Sequence, residues 1–373
     1  MKILHVLDSL RVGGSESLSA TLAGAFRERG VDGLVCGLGQ DGPLRDRLAR
    51  ANVQCMSLRK ASGVRPDLMA RLTWLMLARR CDAVITHHFR QLVHAVPGAA
   101  VLRRRLVHVE HDHHSHENQP HILAHFGRIA PLVSRFVFVS DAVRDWFVER
   151  APQIAHKAVV ITNGVDTDRF VRDQGERMRV RALVGAGQDD FVVGTCARLE
   201  PVKDLELLLR GFAQMKQHPN IRRSKLVLVG DGSLRTSLEA TAAAFGVVQD
   251  VHFTGMVDDV PAWLSGFDAY AMTSVNEGLP LSVMEAMSCS LPVVATDVGS
   301  LSRVVDDRVG FLLQTRRPDE LADRLVALAG DPGLSQNLGL AARGRAELEY
   351  SIETMVQAYL LALGLQQPGG DSI

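Results

Sequence analysis

Lys2-Ile3-Leu4-His5-Val6-Leu7 runs into Asp8 and then Val12-Gly13-Gly14-Ser15-Glu16, which opens the amphipathic stretch Ser15–Arg29. A short, nearly continuous apolar run is the pattern of a strand buried on both faces, as in a parallel sheet. A glycine turn leading into a helical period is what a crossover to the next parallel strand requires. The run is too short for a signal-peptide core and has no small-residue cleavage site.

The same alternation continues outward. In the first half, strands are predicted at Lys2–Leu7, Leu34–Leu38, Val53–Leu58, Ala83–Thr86, Leu106–Glu110, Phe136–Ser140 and Ala158–Thr162. Helical periods lie at Ser15–Arg29, Leu68–Arg80, Ile122–Val133 and Ala142–Arg150. In the second half, strands are predicted at Phe191–Ala197, Lys225–Val229, Val251–Phe253, Ala269–Met272, Pro292–Ala295 and Gly310–Leu313. The helices there are Leu205–Lys216, Leu234–Phe245, Leu281–Ser288, Pro318–Ala329, Leu334–Glu349 and Ile352–Leu363. A pattern that occurs twice predicts an α/β protein of two Rossmann-like parallel-sheet domains. The linker is placed within the polar stretch Asp168–Asp190, which carries Gly175, Gly185 and Gly187. The expected domains are 1–170 and 171–350. Residues 351–373 form a last helix packing back on the first domain, then a disordered tail, Gln366–Ile373.

Bulk properties agree with this reading. A chain of 373 residues suits two domains of about 150–200 residues. With 46% hydrophobic and 23% charged residues it is neither disordered nor collagen-like. No apolar run approaches the ~18–20 residues of a membrane-spanning helix. Five scattered cysteines without C-x-x-C spacing indicate reduced thiols and a cytoplasmic setting. Residues 1–170 hold 23 Lys and Arg against 16 Asp and Glu, a net +7, which leaves −7 in the rest of the neutral chain. The basic half has no aromatic-studded stripe, so nucleic acid is not an expected partner.

Five features carry candidate chemistry. Val12-Gly13-Gly14-Ser15-Glu16 opens a helix, whose N-terminal N–H groups attract anions; it lacks the G-x-G-x-x-G of dinucleotide binding and also reads as a plain tight turn. Arg198 and Lys203 follow a strand directly, where two cations either clamp a diphosphate or stand as a solvated pair. Asn276-Glu277-Gly278-Leu279-Pro280-Leu281-Ser282-Val283-Met284-Glu285 is the most specific. Glu277 sits in a loop shaped by Gly278 and Pro280. Glu285 lies one turn into an apolar helix, where a carboxylate needs a partner. A ribose diol supplies such a partner, and the helix start can hold a phosphate.

Histidine density is the fourth feature. Seven of the 14 histidines (His108, His111, His113, His114, His116, His121, His125) fall within 18 residues, preceded by His87, His88 and His94. No H-E-x-x-H and no nearby cysteine complete a zinc set, so no metal site is expected. The segment is read as a polar, acceptor-facing loop whose remaining histidines are solvated. Fifth, Trp74 with Leu68, Met69, Leu72, Leu75, Met76 and Leu77 lies among Arg71, Arg79 and Arg80, with Arg103-Arg104-Arg105 beyond. This helix either packs on its sheet, the preferred reading, or touches an anionic membrane.

Taken together these pieces resemble the retaining glycosyltransferases of family 4, of the glycosyltransferase-B fold, with a Glu-x7-Glu motif like that of glycogen synthases. The matching pieces are Gly13-Gly14, Glu110-His111, Val139-Ser140, Ile161-Thr162-Asn163-Gly164-Val165-Asp166 with Phe170, Arg198-Leu199 with Lys203, Leu228-Val229-Gly230-Asp231-Gly232, Phe253-Thr254-Gly255-Met256-Val257 and the Glu277–Glu285 pair. The resemblance spans nearly the whole chain and is densest from 158 to 313. Asp204 departs from it, since the family often has glycine after the lysine, and so does the histidine-rich loop 108–125.

The resemblance implies two domains facing across a cleft. The donor is a nucleotide sugar, UDP- or GDP-linked, on the second domain. The acceptor is a saccharide, lipid-linked or small molecule on the first. Arg198 and Lys203 would neutralise the diphosphate without a metal or other cofactor. Glu285 would bind ribose and Glu277 the donor sugar. Backbone groups of Gly278, Leu279, Leu281 and Ser282 would hold sugar and phosphate, and Val257 the base. Gly14 would approach the diphosphate and His111 the reacting sugar. The implied activity is retaining, metal-independent hexosyl transfer in polysaccharide or glycoconjugate biosynthesis, at the cytoplasmic face of the inner membrane if peripherally attached. An epimerase of the same architecture, or a non-catalytic nucleotide- or metal-binding protein, is the alternative.

Overall fold

The computed structural model describes residues 1–11, 13–59, 63–111, 120–219, 221 and 223–365. The chain divides into two units, Met1–Gly164 with Ile352–Ile373, and Val165–Ser351. In the first, seven strands β1 (Lys2–Leu7), β2 (Asp32–Gly37), β3 (Gln54–Ser57), β4 (Ala83–His87), β5 (Arg105–Glu110), β6 (Arg135–Phe138) and β7 (Ala158–Val160) form one sheet ordered β3-β2-β1-β4-β5-β6-β7. In the second, β8 (Phe191–Cys196), β9 (Ser224–Val229), β10 (Val251–Gly255), β11 (Ala269–Met272), β12 (Val293–Thr296) and β13 (Gly310–Leu313) are ordered β10-β9-β8-β11-β12-β13. Every pairing in both sheets is parallel. Each sheet reverses its winding once, between β1 and β4 and between β8 and β11, and ligands of such sheets bind beyond the strand ends at that reversal.

Burial explains the strand patterns. Ile3, Leu4 and Val6 of β1 are fully buried, as are Leu226, Val227 and Leu228 of β9. The core of the second unit packs Leu208, Phe212, Leu321 and Leu325 onto its strands. Helix 66–78 buries Leu68, Leu72, Leu75 and Met76 on the first unit, while Trp74 and Leu77 on the same helix are 67% and 58% exposed. Among the described residues, no helix is long and apolar enough to cross a membrane.

The unit boundary and the stretch read as a linker come out differently from the sequence reading. Val165 donates its N–H to Tyr350 O at 2.7 Å and bridges to Ser351, so residues 165–170 belong to the second unit. Within Asp168–Asp190, Gln174–Leu183 is a helix, with the Asp173 carboxylate accepting from Glu176 N–H. Its polarity conceals its anchoring. The buried Arg181 guanidinium donates to Gly187 O and Gln188 O, and pairs with Asp268 at 2.8 Å, where Arg177 also binds. Ile352–Ala362 packs on the first unit through Met355, Val356 and Tyr359, and Gly164 donates its N–H to Met355 Sδ at 3.2 Å. The tail expected to be disordered lies outside the described residues.

Candidate active site

The loops after β8, β11 and β12 are stitched together at the reversal of the second sheet. Thr273 Oγ1 donates to Lys203 O and Asp204 O, at 3.1 and 2.9 Å. Val275 N–H donates to Val202 O, and Thr296 Oγ1 donates to Ser274 O. These bonds fix the turn Pro201–Lys203 beside the loop that carries Glu277. Lys203 Nζ then meets Glu277 Oε1 at 2.5 Å, and Ser274 Oγ donates to the same oxygen at 2.6 Å. With 18% and 12% exposure, the pair sits at a partly desolvated rim, where its Coulomb energy exceeds that of a surface pair. Arg198 is exposed and makes no side-chain hydrogen bond or ion pair among the described residues. Of the two predicted cations, one is therefore committed to a carboxylate and the other is open to solvent.

Backbone approach completes the loop. Gly278 O accepts from Ser300 N–H at 3.2 Å. Gly299 adopts φ +60, and a Cβ there would lie 1.8 Å from Glu277 O. Gly299 is thus a site residue that the motif reading passed over; its glycine follows β12 in Asp297-Val298-Gly299, a signal readable only once β12 is placed beside β11. Leu281 and Ser282 begin helix 281–288 after Pro280, with no side-chain cap, so their N–H groups lie at an uncapped helix start. Glu285 is half-buried. It stands near Cys196 and Cys289: burial pushes the Cys289 thiol up to about 12, and the Glu285 carboxylate adds to the shift. Burial and then Glu285 likewise hold Cys196 well above its usual range. Tyr270 OH donates to Cys196 O at 3.3 Å, which ties β11 to the end of β8.

Asp204 explains its own departure from the family pattern. Its φ is +42, a left-handed conformation that glycine adopts freely and aspartate tolerates better than most residues. The side chain caps helix 205–217 by accepting from Leu207 N–H, and pairs with Arg316. The turn Gly230-Asp231-Gly232 packs on the backbone after β8; a Cβ on Gly230, at φ +132, would lie 2.0 Å from Ala197 O. Val257 lies two residues beyond β10, in the segment before helix 260–265.

The first unit holds a different set at its own reversal. Gly14 is the first residue of helix 14–28, and a Cβ there would meet nothing within 4 Å, so the fold leaves space at that point. His111 directly follows β5, its Nε2 3.0 Å from His87 Nδ1. His88, at φ +66, lies across the His111 ring at 5.1 Å. Beneath them, His108 Nε2 is 2.9 Å from the fully buried Glu110 carboxylate, and its Nδ1 is 3.0 Å from Thr86 Oγ1. His108, counted with the histidine-rich loop although it falls in the predicted strand Leu106–Glu110, is a buried residue of β5, and both its ring nitrogens are partnered. His87 and His94 are buried as well. Predicted His113, His114 and His116 lie outside the described residues. Among the described residues no three His, Cys, Asp or Glu side chains are grouped as metal ligands.

Comparison with known proteins follows this division. Residues 12–169 match the family model Glycosyltransferase Family 4, and residues 190–331 match that for Glycosyl transferases group 1. Each half of the chain thus matches a glycosyltransferase family model. A D-inositol 3-phosphate glycosyltransferase of Kribbella flavida is 32% identical over 221 residues, 55% of this chain and 51% of that protein. A putative glycosyltransferase EpsF of Bacillus subtilis is 30% identical over 200 residues, 53% of this chain and 48% of that one. The chain thus spans about half the length of these curated relatives. The solved structure of Anabaena HepE in complex with UDP superposes with TM-score 0.85, covering 98% of this chain and 100% of that one at 24% identity. WaaG, a glycosyltransferase involved in lipopolysaccharide biosynthesis, gives 0.73 over 97% and 100% at 15% identity. These likenesses, with the two parallel sheets, establish the glycosyltransferase-B fold.

Proposed function

We propose that this protein transfers a hexosyl group from a UDP- or GDP-linked sugar to a hydroxyl of a saccharide, lipid-linked or small-molecule acceptor, with retention at the anomeric carbon. The observation that carries the proposal is the Lys203–Glu277 pair held at the ends of β8 and β11, inside a Glu-x7-Glu loop that ends on an uncapped helix start. The UDP and UDP-glucose complexes of HepE favour a UDP donor as the first to try.

On this reading Arg198 and Lys203 face the diphosphate, Glu285 the ribose, Glu277 the donor sugar and the Val257 backbone the base. The N–H groups of Leu281 and Ser282 receive phosphate oxygens, and Gly278 and Leu279 the sugar. Gly14 and His111 are the candidates on the first unit, taken by itself. The glycosidic bond to phosphate breaks while the bond to the acceptor oxygen forms on the same face. The acceptor's proton passes to the departing phosphate oxygen, so no side chain need act as nucleophile. Two cations and a helix start stabilise charge that grows on the diphosphate, which is the role a divalent metal plays elsewhere. Lys203 must leave Glu277 for the phosphate as donor binds, which frees that carboxylate for sugar hydroxyls.

The exposed Trp74 and Leu77 of helix 66–78, with Arg71 one turn before Trp74, are proposed to meet an anionic membrane carrying the acceptor. Co-sedimentation with phosphatidylglycerol vesicles that Trp74→Ala abolishes is the expected result. For the reaction itself, a panel of UDP- and GDP-hexoses is incubated with and without sugar acceptors. Acceptor-dependent release of nucleoside diphosphate, resistant to a strong chelator, with an anomeric configuration matching the donor by NMR, is expected. Inversion of the configuration, or sugar isomerisation without acceptor, would contradict the proposal.

A further inference from the structure

We infer that a groove at the far edge of the second sheet, away from the candidate active site, is a second saccharide site that takes an uncharged oligosaccharide. Its place follows from the strands. Phe191 opens β8, Asp268 and Pro292 directly precede β11 and β12, and the three line a groove of about 690 Å³. Arg198, Glu277 and Gly299 follow the other ends of the same strands. Those strands are six, four and four residues long, which at about 3.3 Å per residue puts about 13–20 Å between the two edges. The groove is thus separate from the donor loops. It lies wholly within the second unit, and its volume is that of a small-molecule site.

Charge decides the class of ligand. Arg172 and Arg177 line the groove with Asp189, Asp190 and Asp268, and the buried Arg181 stands behind them. Asp268 is bound by all three guanidiniums, at 3.4 Å from Arg172, 2.6 Å from Arg177 and 2.8 Å from Arg181. Phe267 O accepts from Arg172 at 2.7 Å and from Arg177 at 3.0 Å. Three cations stand against three carboxylates, so the wall carries no net charge and its guanidiniums are committed to acceptors of the protein. A phosphate or a polyamine would meet as many like charges as opposite ones. What remains open is a set of groups that give and take hydrogen bonds together. The amides of Gln174, Gln188 and Gln336 and the Ser290 hydroxyl line the groove without a side-chain hydrogen bond among the described residues. Amides and hydroxyls hold donors and acceptors at once, as sugar hydroxyls do. Asp189, equally open among the described residues, can accept from two neighbouring hydroxyls of one ring. Pro292, Pro332 and the 58%-exposed Leu340 supply an apolar patch for the C–H face of a pyranose. The walls are fixed in advance. Asp173 and Asp331 cap helices 174–183 and 332–349, which carry Gln174 and Gln336, and Arg181 holds the loop of Gln188 through Gly187 O and Gln188 O. Little order is therefore lost on binding. In the proposed transfer reaction this site tethers a glycan and raises its local concentration, but the groove itself does not depend on that reading.

The test is saturation-transfer difference NMR on the full chain with maltotriose, cellotriose, laminaritriose and chitotriose, and with inorganic pyrophosphate and spermidine as charged competitors. At least one trisaccharide should bind with a Kd of roughly 1–10 mM, and neither charged probe should displace it. Leu340→Asp, and Gln188→Ala combined with Gln336→Ala, should each weaken that binding about fivefold or more. Positions 188, 336 and 340 are exposed, so both variants should unfold at the wild-type temperature. Glu285→Ala and an excess of UDP or GDP should leave the saccharide signal unchanged. No binding by any of the four trisaccharides up to about 20 mM overturns the inference. So does binding that both groove variants leave intact, and so does displacement by pyrophosphate. A saccharide signal that the groove variants remove, in a chain that binds neither nucleotide, would instead sink the proposed transfer and leave this site standing.

Discussion

The two sheet reversals have the same topology and opposite chemistry. Beyond β8 and β11 the second unit sets an ionised, partly exposed pair, Lys203 and Glu277, trimmed by hydroxyls of Thr273 and Ser274. Beyond β4 and β5 the first unit sets stacked imidazoles over a buried carboxylate, with His87 held neutral by burial. Parallel-sheet topology fixes where a ligand can sit, and the loop residues fix what chemistry meets it there. A rim of paired charges is able to change partners when an anion arrives. A stack of imidazoles over a buried carboxylate is held in place by its packing.

That contrast breaks most severely at Gly299. Alanine there meets Glu277 O at 1.8 Å in a left-handed conformation, so Gly299→Ala should cost about 3 kcal/mol of second-unit stability. Urea unfolding followed by fluorescence of Trp263, which lies in that unit, would show it. Next in size, Lys203→Ala should lower kcat about 10²-fold, the scale of a lost electrostatic stabiliser. A change in KM alone would place Lys203 in ground-state binding.

The first unit should respond to acid instead. His5 is fully buried and neither ring nitrogen has a hydrogen-bond partner among the described residues; burial lowers its pKa from 6.5 to about 4. Between those values the unfolded chain binds more protons than the folded one. Stability from this group is therefore complete above about pH 6.5 and falls as pH drops toward 4, by up to about 1.4 kcal/mol per pH unit. His5→Phe should flatten that slope and stabilise the unit by about 1–2 kcal/mol at pH 5, read by unfolding at pH 7 and pH 5. The smallest effect belongs to Asp204→Gly. Relief of the left-handed backbone offsets the lost cap, for a net change of about 0.5 kcal/mol or less.

Both kinds of region were unequally legible. All thirteen strands overlap runs readable in the sequence; the central ones are apolar because they are buried on both faces, whereas the edge strands β3, β7 and β10 are only partly buried. Helices 89–101 and 174–183 are not readable in this way. Pro97 sits inside the first, and the second is too polar to show a buried stripe. Tertiary contacts of Arg177 and Arg181 with Asp268 hold the latter, and no local pattern announces a partner 87 residues away. In the candidate site, Glu277, Lys203 and Glu285 are readable by spacing. The Lys203–Glu277 pairing is not, since it depends on two loops meeting at adjacent strand ends. Histidine counting was the weakest guide, because His108 and His111 differ by three positions and one is core, the other rim.

The proposed donor site places a nucleotide on the Glu-x7-Glu loop of the second unit. Isothermal calorimetry of UDP and GDP against the wild type and Glu285→Ala measures it directly. One of the two nucleotides should bind, and Glu285→Ala should weaken it by roughly 1–3 kcal/mol with the fold intact, the cost of leaving ribose hydroxyls unpaired. An affinity that does not change in Glu285→Ala, or no binding of either nucleotide to the wild type, would contradict it.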